Sequence, residues 1–365
     1  MQQLGSTQSQ HASLINIYKT IYDLPPDVLR LIFTCLGIGH FRFIGGTSRI
    51  FRELYLSMSI EADSTTTIEN VVSSVSCVEV YLQEARYDVA QLRAILNGAA
   101  SYGRLDILEW AHERGYSRAC SEETSTCAVK EGQLAAFIWL NDHGCLLSSE
   151  ACNNAARHGH LNILRWLRAT GRTWDEWTCP YAVEGGHLNI LQWLRANGCP
   201  WGKYSCSFAA ECGHLNILQW ARANGCPWDE GTCSRAAKRG HLNILQWARA
   251  NGCPWNEDTC YHAANRGHLN ILQWARANGC PWNEDTCQTA AECGHLNILQ
   301  WAKENGCPWD GYTCLSAAKG GHLNILQWAR ENGCPWDHCI YRAATHSDSN
   351  DDIWNYVREN YEHII

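Results

Sequence analysis

The sequence predicts an all-α solenoid, and three observations carry that expectation. First, a run of the form Gly-His-Leu-Asn-Ile-Leu-Gln-Trp-Ala-Arg-Ala-Asn-Gly-Cys-Pro-Trp opens at Gly159, Gly186, Gly213, Gly240, Gly267, Gly294 and Gly321, a constant period of 27. Two looser copies precede it at Gly103 and Gly132. Repeats of roughly 20–50 residues belong to stacked units that bury an apolar face only against their neighbours. Second, apolar residues recur within each unit at helical spacing, and no segment alternates as a strand does. Third, Gly and Pro fall at fixed places in each unit, where they stop helices. One elongated array therefore absorbs most of a 365-residue chain that length alone would assign to two or three domains.

Composition narrows the function classes. Hydrophobic residues make up 45% and charged residues 18%, the balance of a folded protein. The net charge of -8, with no basic stripe or tail, argues against nucleic-acid binding. Residues 1–15 lack a basic stretch followed by an apolar run, so no signal peptide is expected. Nor does any stretch approach about 18 continuous apolar residues, so no membrane span is expected. The chain is expected to be soluble and intracellular, cytoplasmic or nuclear. Its 21 cysteines keep repeat register, one series running through Cys199, Cys226, Cys253, Cys280, Cys307 and Cys334 and another through Cys179, Cys206, Cys233, Cys260, Cys287 and Cys314. Cys253 and Cys260 are too far apart in sequence for a zinc knuckle, and the histidine that recurs in register, as His268, stands at a helix start. Small buried hydrophobes in a reducing compartment is the favoured reading, with no metal and no cofactor.

In chain order, residues 1–19 form a Gln/Ser/Thr leader without a packing pattern. A small helical module follows over 20–60. Leu24-Pro25-Pro26-Asp27 places proline at a helix start, and Val28, Leu29, Ile32, Phe33 and Leu36 follow at helical spacing. This stretch, with Thr47 to Leu54 behind it, resembles the F-box, although the Cys and Trp that family carries in its second half are absent. The resemblance implies a three-helix module that binds a Skp-type adaptor, and through it a cullin-based ubiquitin ligase. Leu24, Pro25, Val28, Leu29, Ile32, Phe33 and Leu36 would form the adaptor contact. Residues 61–98 are transitional: Ser64 or a nearby Thr is expected to cap a helix with Ile68, Val71 and Val72, and Val78 to Leu82 resembles a worn repeat helix.

The repeats occupy 99–338. In the unit around Gly267, a first helix is expected from Asp258 or Thr259 through Cys260, Ala263 and Ala264, thin enough for a neighbour to come close. Arg266-Gly267 breaks it. A second helix runs from His268 or Leu269 to about Ala277, presenting Leu269, Ile271, Leu272 and Trp274, and Asn278-Gly279 ends it. Cys280-Pro281-Trp282 then turns back. Stacking at this period predicts two tryptophan files as a core ladder, one from Trp110 through Trp139, Trp166, Trp193, Trp220, Trp247, Trp274 and Trp301 to Trp328, the other from Trp174 to Trp336. The repeated arginines are read as offset by acidic turn residues. Residues 339–365 are expected to cap the array, with Ile353, Tyr356 and Val357 imitating a last second helix and Asp351 and Asp352 near its start.

The frame Ala-Ala-x-x-Gly-His-Leu-x-Ile-Leu, closing on Gly as in Ala263 to Gly279, resembles the ankyrin repeat over residues 99–345. Asp258-Thr259-Cys260-Tyr261 stands where that family usually shows Thr-Pro-Leu-His, and the turn after Cys280 is too short for the family's β-hairpin finger. The resemblance implies a stack trimmed to its helices, a protein-binding scaffold of the kind found in giant viruses and some algae and oomycetes; in those viruses F-box-like heads commonly precede such repeats.

No metalloprotease, nucleophile-elbow, phosphate-loop or dinucleotide motif is present, so no catalytic residue is assigned and no enzyme is expected. His158-Gly159-His160 and His338-Cys339 are read as exposed turn residues. Comparison between repeats is more informative. Packing positions barely change, whereas the pair after the first-helix cysteine varies: Pro180-Tyr181, Ser207-Phe208, Ser234-Arg235, Tyr261-His262, Gln288-Thr289 and Leu315-Ser316. Aromatics and Arg at varying positions suit a recognition surface. Tyr181, Phe208, Arg235, Tyr261 and His262 are therefore the candidate target-binding residues. Two functions follow: a substrate receptor joining a target to a ligase adaptor, or a plain binding or decoy module whose head is only a cap.

Overall fold

The computed structural model describes residues 68–84, 89–336, 340 and 351–361. The leader, the predicted module with Leu24, Pro25, Val28, Leu29, Ile32, Phe33 and Leu36, the Ser64 cap and the His338-Cys339 cluster lie outside the described residues. Every regular element among the described residues is helical. The expected helix pairs are present, without strands among the described residues. No described helix is long and apolar enough to cross a membrane. Two compact units divide between Ala155 and Ala156.

In the first unit, α1 (Ile68–Val71) and α2 (Val75–Glu84) match the expected transitional helices. α3 (Val89–Ser101) buries Leu92, Ile95, Leu96, Ala99 and Ala100, and α4 (Leu105–Glu113) buries Ile107, Leu108, Trp110 and Ala111. The extra length between Gly103 and Gly132 is taken up after α4, where Gly115 at φ +74° leads into a 3-10 turn, Tyr116–Ala119. α5 (Glu122–Lys130) and α6 (Leu134–Asp142) form the next pair, with Phe137 and Leu140 fully buried. Arg104 at the start of α4 donates to the carbonyls of Val72 and Ser73, tying the worn repeat to the regular ones.

The second unit repeats one pair. Its specimen is α7 (Glu257–Asn265) followed by α8 (Leu269–Ala277). Asn256, with extended backbone, precedes α7, and Thr259, Cys260, Ala263 and Ala264 are buried along it. A small apolar face lets successive first helices approach closely, and the first helices indeed pack on one another through the unit. The break between the two helices depends on Gly267 at φ +79°, while the His268 amide donates to the Ala263 carbonyl at 2.9 Å and closes the first helix. At the far end Gly279 has φ +83° and the Cys280 amide donates to the Ala275 carbonyl at 2.9 Å. That is a Schellman-type closure. Asn278 adds a side-chain bond to the Trp274 carbonyl at 2.8 Å, which accounts for Asn before the Gly.

The same Gly has a second duty, which explains the Gly-His pair. A Cβ on Gly267 would lie 3.0 Å from Cε1 of His295, the histidine that opens the next second helix. The His295 ring pairs at its Nε2 with the Asn265 carbonyl at 3.3 Å. His187, His241 and His322 bond the carbonyls of Arg157, Glu211 and Glu292 in the same way. The histidine is an inter-repeat tie. It sits in a notch that only Gly leaves open.

The tryptophans correct the sequence reading. Trp110 is buried, but Trp139, Trp166, Trp193, Trp220, Trp247, Trp274, Trp301 and Trp328 are half-buried, as are the turn tryptophans from Trp174 to Trp336. At about 100° per residue, Ala275 falls between Ile271 and Leu272 on the helix wheel, and all three are buried; Trp274 falls to the flank of that stripe. Nor are there two separate files. Each turn tryptophan from Trp174 to Trp309 meets the second-helix tryptophan of the following repeat edge-on, Trp255 with Trp274 at 5.9 Å and 67°, Trp282 with Trp301 at 5.8 Å and 65°. The arginines are not simply balanced by acidic turns. Arg249 and Arg276 stack over Trp255 and Trp282 at 4.0 and 4.1 Å and donate to the carbonyls of Cys253 and Cys280. The result is a half-exposed Trp–Arg rail that braces the turns, with the core lying in the aliphatic stripe behind it.

At the C-terminal end, α9 (Asp351–Tyr361) supplies the expected second-helix mimic: Ile353 and Val357 are buried and Tyr356 lies 6.1 Å from the Trp336 ring.

Candidate protein-interaction face

The candidate face is built on the first helices of the second unit. Their inward residues are Thr or Ser, Cys and two Ala, with Val183 replacing the second Ala in the helix Thr178–Glu184, so the positions left over carry what differs between repeats. The structure places Tyr181 on the helix Thr178–Glu184, Phe208 on Ser205–Glu211, Arg235 on Glu230–Lys238, and Tyr261 and His262 on Glu257–Asn265. All five are half-buried, and the first members of four of the six varying pairs, Pro180, Ser207, Ser234 and Leu315, are buried. The pair is thus less uniformly solvent-facing than a simple alternation implies. Close first-helix packing turns the residue next to the cysteine toward the neighbouring helix.

Three of the five come together through residues that the repeat comparison had passed over. Trp177 lies 6.2 Å from Tyr181 and stacks on Tyr204 at 5.4 Å and 23°. Tyr204 stacks on Phe208 at 6.0 Å and 19°. Arg235 reaches back from the following repeat to lie 5.2 Å over Phe208 and 5.6 Å over Tyr204. Arg157 covers Tyr181 from the other side at 5.3 Å and pairs with Glu184. The run is a contiguous row of aromatic rings with a guanidinium at either end. Tyr261 and His262 stand apart, packed on each other at 5.1 Å and 72°. Burial lowers the pKa of His262, and the positive charges of Lys238, Arg266 and Arg235 reinforce this against Asp258.

Glu211 is the electrostatic pivot. It pairs with Arg235 at 2.6 Å and with Arg239 at 3.3 Å. Burial alone would push its carboxyl up, but Arg235 and Arg239 more than offset this and hold it below the usual carboxylate range. Beside the pivot an open recess of about 430 Å³ is lined by Glu184, Phe208, Glu211, Cys212, Arg239 and His241. An aromatic floor with charged walls of both signs favours a mixed apolar and polar peptide surface, and aromatic and Arg side chains are the usual energetic anchors of such contacts.

Trp177 and Tyr204 were legible at the period of 27. They share a position with Gly231, Asp258, Asp285 and Tyr312, one residue before the Thr or Ser of each first helix, and lie four residues before Tyr181 and Phe208. On a helix that spacing puts side chains on one face. The opposite exposed series, Gln192, Gln219, Gln246 and Gln273, is monotonous and lies on the outer side of the second helices. Among the described residues no group of three or more His, Cys, Asp or Glu could hold a metal ion.

These features define a helical-repeat stack with an invariant interior and one varied face. No protein-family model and no curated protein matches the chain. Among solved structures it is similar to the human ASB11 ankyrin repeat domain, at 17% identity and a TM-score of 0.37, over 43% of this chain and 84% of that one.

Proposed function

We propose that the chain is a protein-binding scaffold that holds a target on its first helices, and that it delivers that target to a ubiquitin-ligase adaptor through the segment containing Leu24 to Leu36. The observation that supports target binding is the row Trp177, Tyr181, Tyr204, Phe208 and Arg235, where rings and a guanidinium occupy positions that differ between otherwise near-identical repeats. Rigid stacking pre-orders these side chains, which keeps the entropic cost of recognition low on this partner's side. Adaptor delivery is supported by the F-box-like pattern of Leu24, Pro25, Val28, Leu29, Ile32, Phe33 and Leu36. This reading places the protein inside the cell, in the cytoplasm or nucleus.

The binding face is tested with a photo-crosslinking side chain at Phe208 or at Gln219 in the full chain. The Phe208 position is expected to capture a discrete protein partner and the Gln219 position to capture none. Against the captured partner, Tyr204→Ala and Phe208→Ala should each weaken binding by about 2 kcal/mol, near thirtyfold, with Gln219→Ala and Gln246→Ala close to neutral. A larger loss from the glutamines would move the face to the second helices. The adaptor step is tested separately, with the full chain and a purified Skp-type adaptor. Binding at micromolar concentration, abolished by Leu29→Asp, is the expected result. No binding by a folded chain leaves a scaffold without a ligase link.

A further inference from the structure

The ends of the first helices in the second unit follow one contact rule. The side chain two residues before the left-handed Gly meets side chains 24 and 28 residues further along, in the next repeat. Glu211 accepts from Arg235 at 2.6 Å and from Arg239 at 3.3 Å. Asn265 donates to Thr289 Oγ1 at 3.0 Å and to Cys293 Sγ at 3.3 Å, with the same two separations. Arg157 over Tyr181 keeps the first of them. Repeats of equal length stack in one register, so the rule extends to the position between Glu211 and Asn265.

That position is Lys238, and the residues 24 and 28 further along are His262 and Arg266. The repeats on either side bring a donor to an acceptor there, whereas this one brings three basic side chains to one place. Among the described residues Lys238 and Arg266 make no ion pair, and His262 Nδ1 is buried without a hydrogen-bond partner. Asp258, the carboxylate one turn before His262, is engaged by the Asn256 side-chain amide at 3.0 Å. Burial holds the His262 pKa down, and the charges of Lys238, Arg266 and Arg235 reinforce this against Asp258, as an uncompensated basic cluster requires. Lys238 is half-buried and Arg266 exposed, so the cluster is open to solvent. The partial negative charge at a helix C-terminus favours cations. It is common to all the repeats, however, and Glu184, Glu211 and Glu292 stand where Lys238 does, so it does not account for three basic groups together.

We propose that Lys238, His262 and Arg266 bind a phosphorylated serine or threonine side chain of the target protein, the phosphate filling the place that the Glu211 carboxylate fills one repeat earlier. The proposal rests on the reading that the first helices hold a protein target, and it adds the chemistry of that target. Lys238 lies three residues after Arg235 on the helix Glu230–Lys238, which puts it on the side where Arg235 closes the aromatic row. A target then sets an apolar side chain against Tyr204 and Phe208 and its phosphate one repeat further along.

Charge and geometry favour a phosphate monoester over a carboxylate. The monoester carries about −1.5 to −2 charges at neutral pH and three strong acceptor oxygens, and here it meets two permanent cations. A carboxylate would neutralise one cation and leave the other uncompensated. The Arg266 guanidinium has the fork to donate two parallel hydrogen bonds to phosphate oxygens, and Lys238 supplies a point charge. The arriving anion also favours the imidazolium form of His262, which gives its Nδ1 a proton to donate. The recess beside Glu211 has no such character, because the carboxylates of Glu184 and Glu211 line it and repel an anion.

The test uses the full chain and three immobilised degenerate peptide pools, identical except for a central phosphoserine, serine or glutamate, with inorganic phosphate as competitor. The phosphoserine pool should retain the chain about tenfold more strongly than either of the others. Lys238→Met and Arg266→Gln should each cut that preference to about twofold or less, while Arg172→Gln, which removes the same charge from an exposed site elsewhere, should leave it intact. Lys238→Glu supplies a readout that needs no ligand: the new carboxylate should raise the His262 pKa, followed by its NMR resonance, and abolish the preference. A His262 pKa unmoved by that change would show that the three groups share no site and would strike out the proposal. Equal retention on the glutamate pool would make this a carboxylate site, and inorganic phosphate binding as tightly as the phosphoserine pool would make it a site for the free ion; either result overturns the proposal. Capture at Phe208 without a phosphoserine preference overturns the phosphate site and leaves the target face standing. A preference without capture at Phe208 supports the site and moves the target face. Should a variant fail to fold, the three pools compared on the unaltered chain decide the matter.

Discussion

Leu272→Ala is expected to destabilise the second unit by about 2–5 kcal/mol, more than Trp274→Ala at about 2 kcal/mol, although the tryptophan is the larger side chain. Leu272 is fully buried in the stripe it shares with Ile271 and Ala275. Removing it leaves a cavity in a close-packed interior, where lost contacts are not replaced. Trp274 is half-buried, meets Trp255 edge-on at 5.9 Å, and leaves a gap that water can enter. Urea melts of the two variants followed by helical signal check the order. A Trp274→Ala loss exceeding that of Leu272→Ala would restore the tryptophans to the core. Because stability in a stack is carried by neighbouring interfaces, the central Leu272 should also matter more than Leu326 near the end.

Gly267→Ala is expected to cost about 2–3 kcal/mol, and Gly279→Ala about 1–2 kcal/mol. The two glycines have nearly the same backbone, φ +79° and +83°, so the strain of a left-handed residue is common to both. They differ in surroundings. A methyl at Gly267 would meet the His295 ring at 3.0 Å, whereas one at Gly279 would meet nothing within 4 Å. The excess at Gly267 is the displaced histidine and its bond to the Asn265 carbonyl. Combining Gly267→Ala with His295→Ala should remove the excess, since the obstructed ring is then gone. Equal melting shifts for the two single variants would mean that the histidine notch contributes nothing.

Most of the architecture is written in the chain. The second helix expected from His268 or Leu269 to about Ala277 is the observed Leu269–Ala277, and Gly267 and Gly279 bound it as their left-handed conformations require. Those elements are local: periodicity, a helix stop and a closure within a few residues determine them, and repetition states the same instructions many times. The candidate face was partly legible. Tyr181, Phe208 and Arg235 show as variation at a fixed register, and Trp177 and Tyr204 were available to the same comparison.

What only the tertiary structure decided is how residues distant in sequence meet across the stack. The sequence places Arg235 beside Ser234, but stacking carries its guanidinium back over Phe208 and onto Glu211 of the preceding repeat. It shows Cys253 and Cys260 as near neighbours, whereas the sulfurs the fold brings within 3.2 Å are of the type Cys179 and Cys199, the first-helix and turn cysteines of one repeat. It marks every tryptophan as apolar, whereas the angular offset of Trp274 from Ile271 and Leu272 sends the ring to a half-exposed rail under Arg249 and Arg276. The reason is the same in each case. Composition and period specify which residues leave water, but partner choice depends on the rotation and spacing of one helix pair against the next, and those are set by the packed alanines, cysteines and the Gly–His notch acting together.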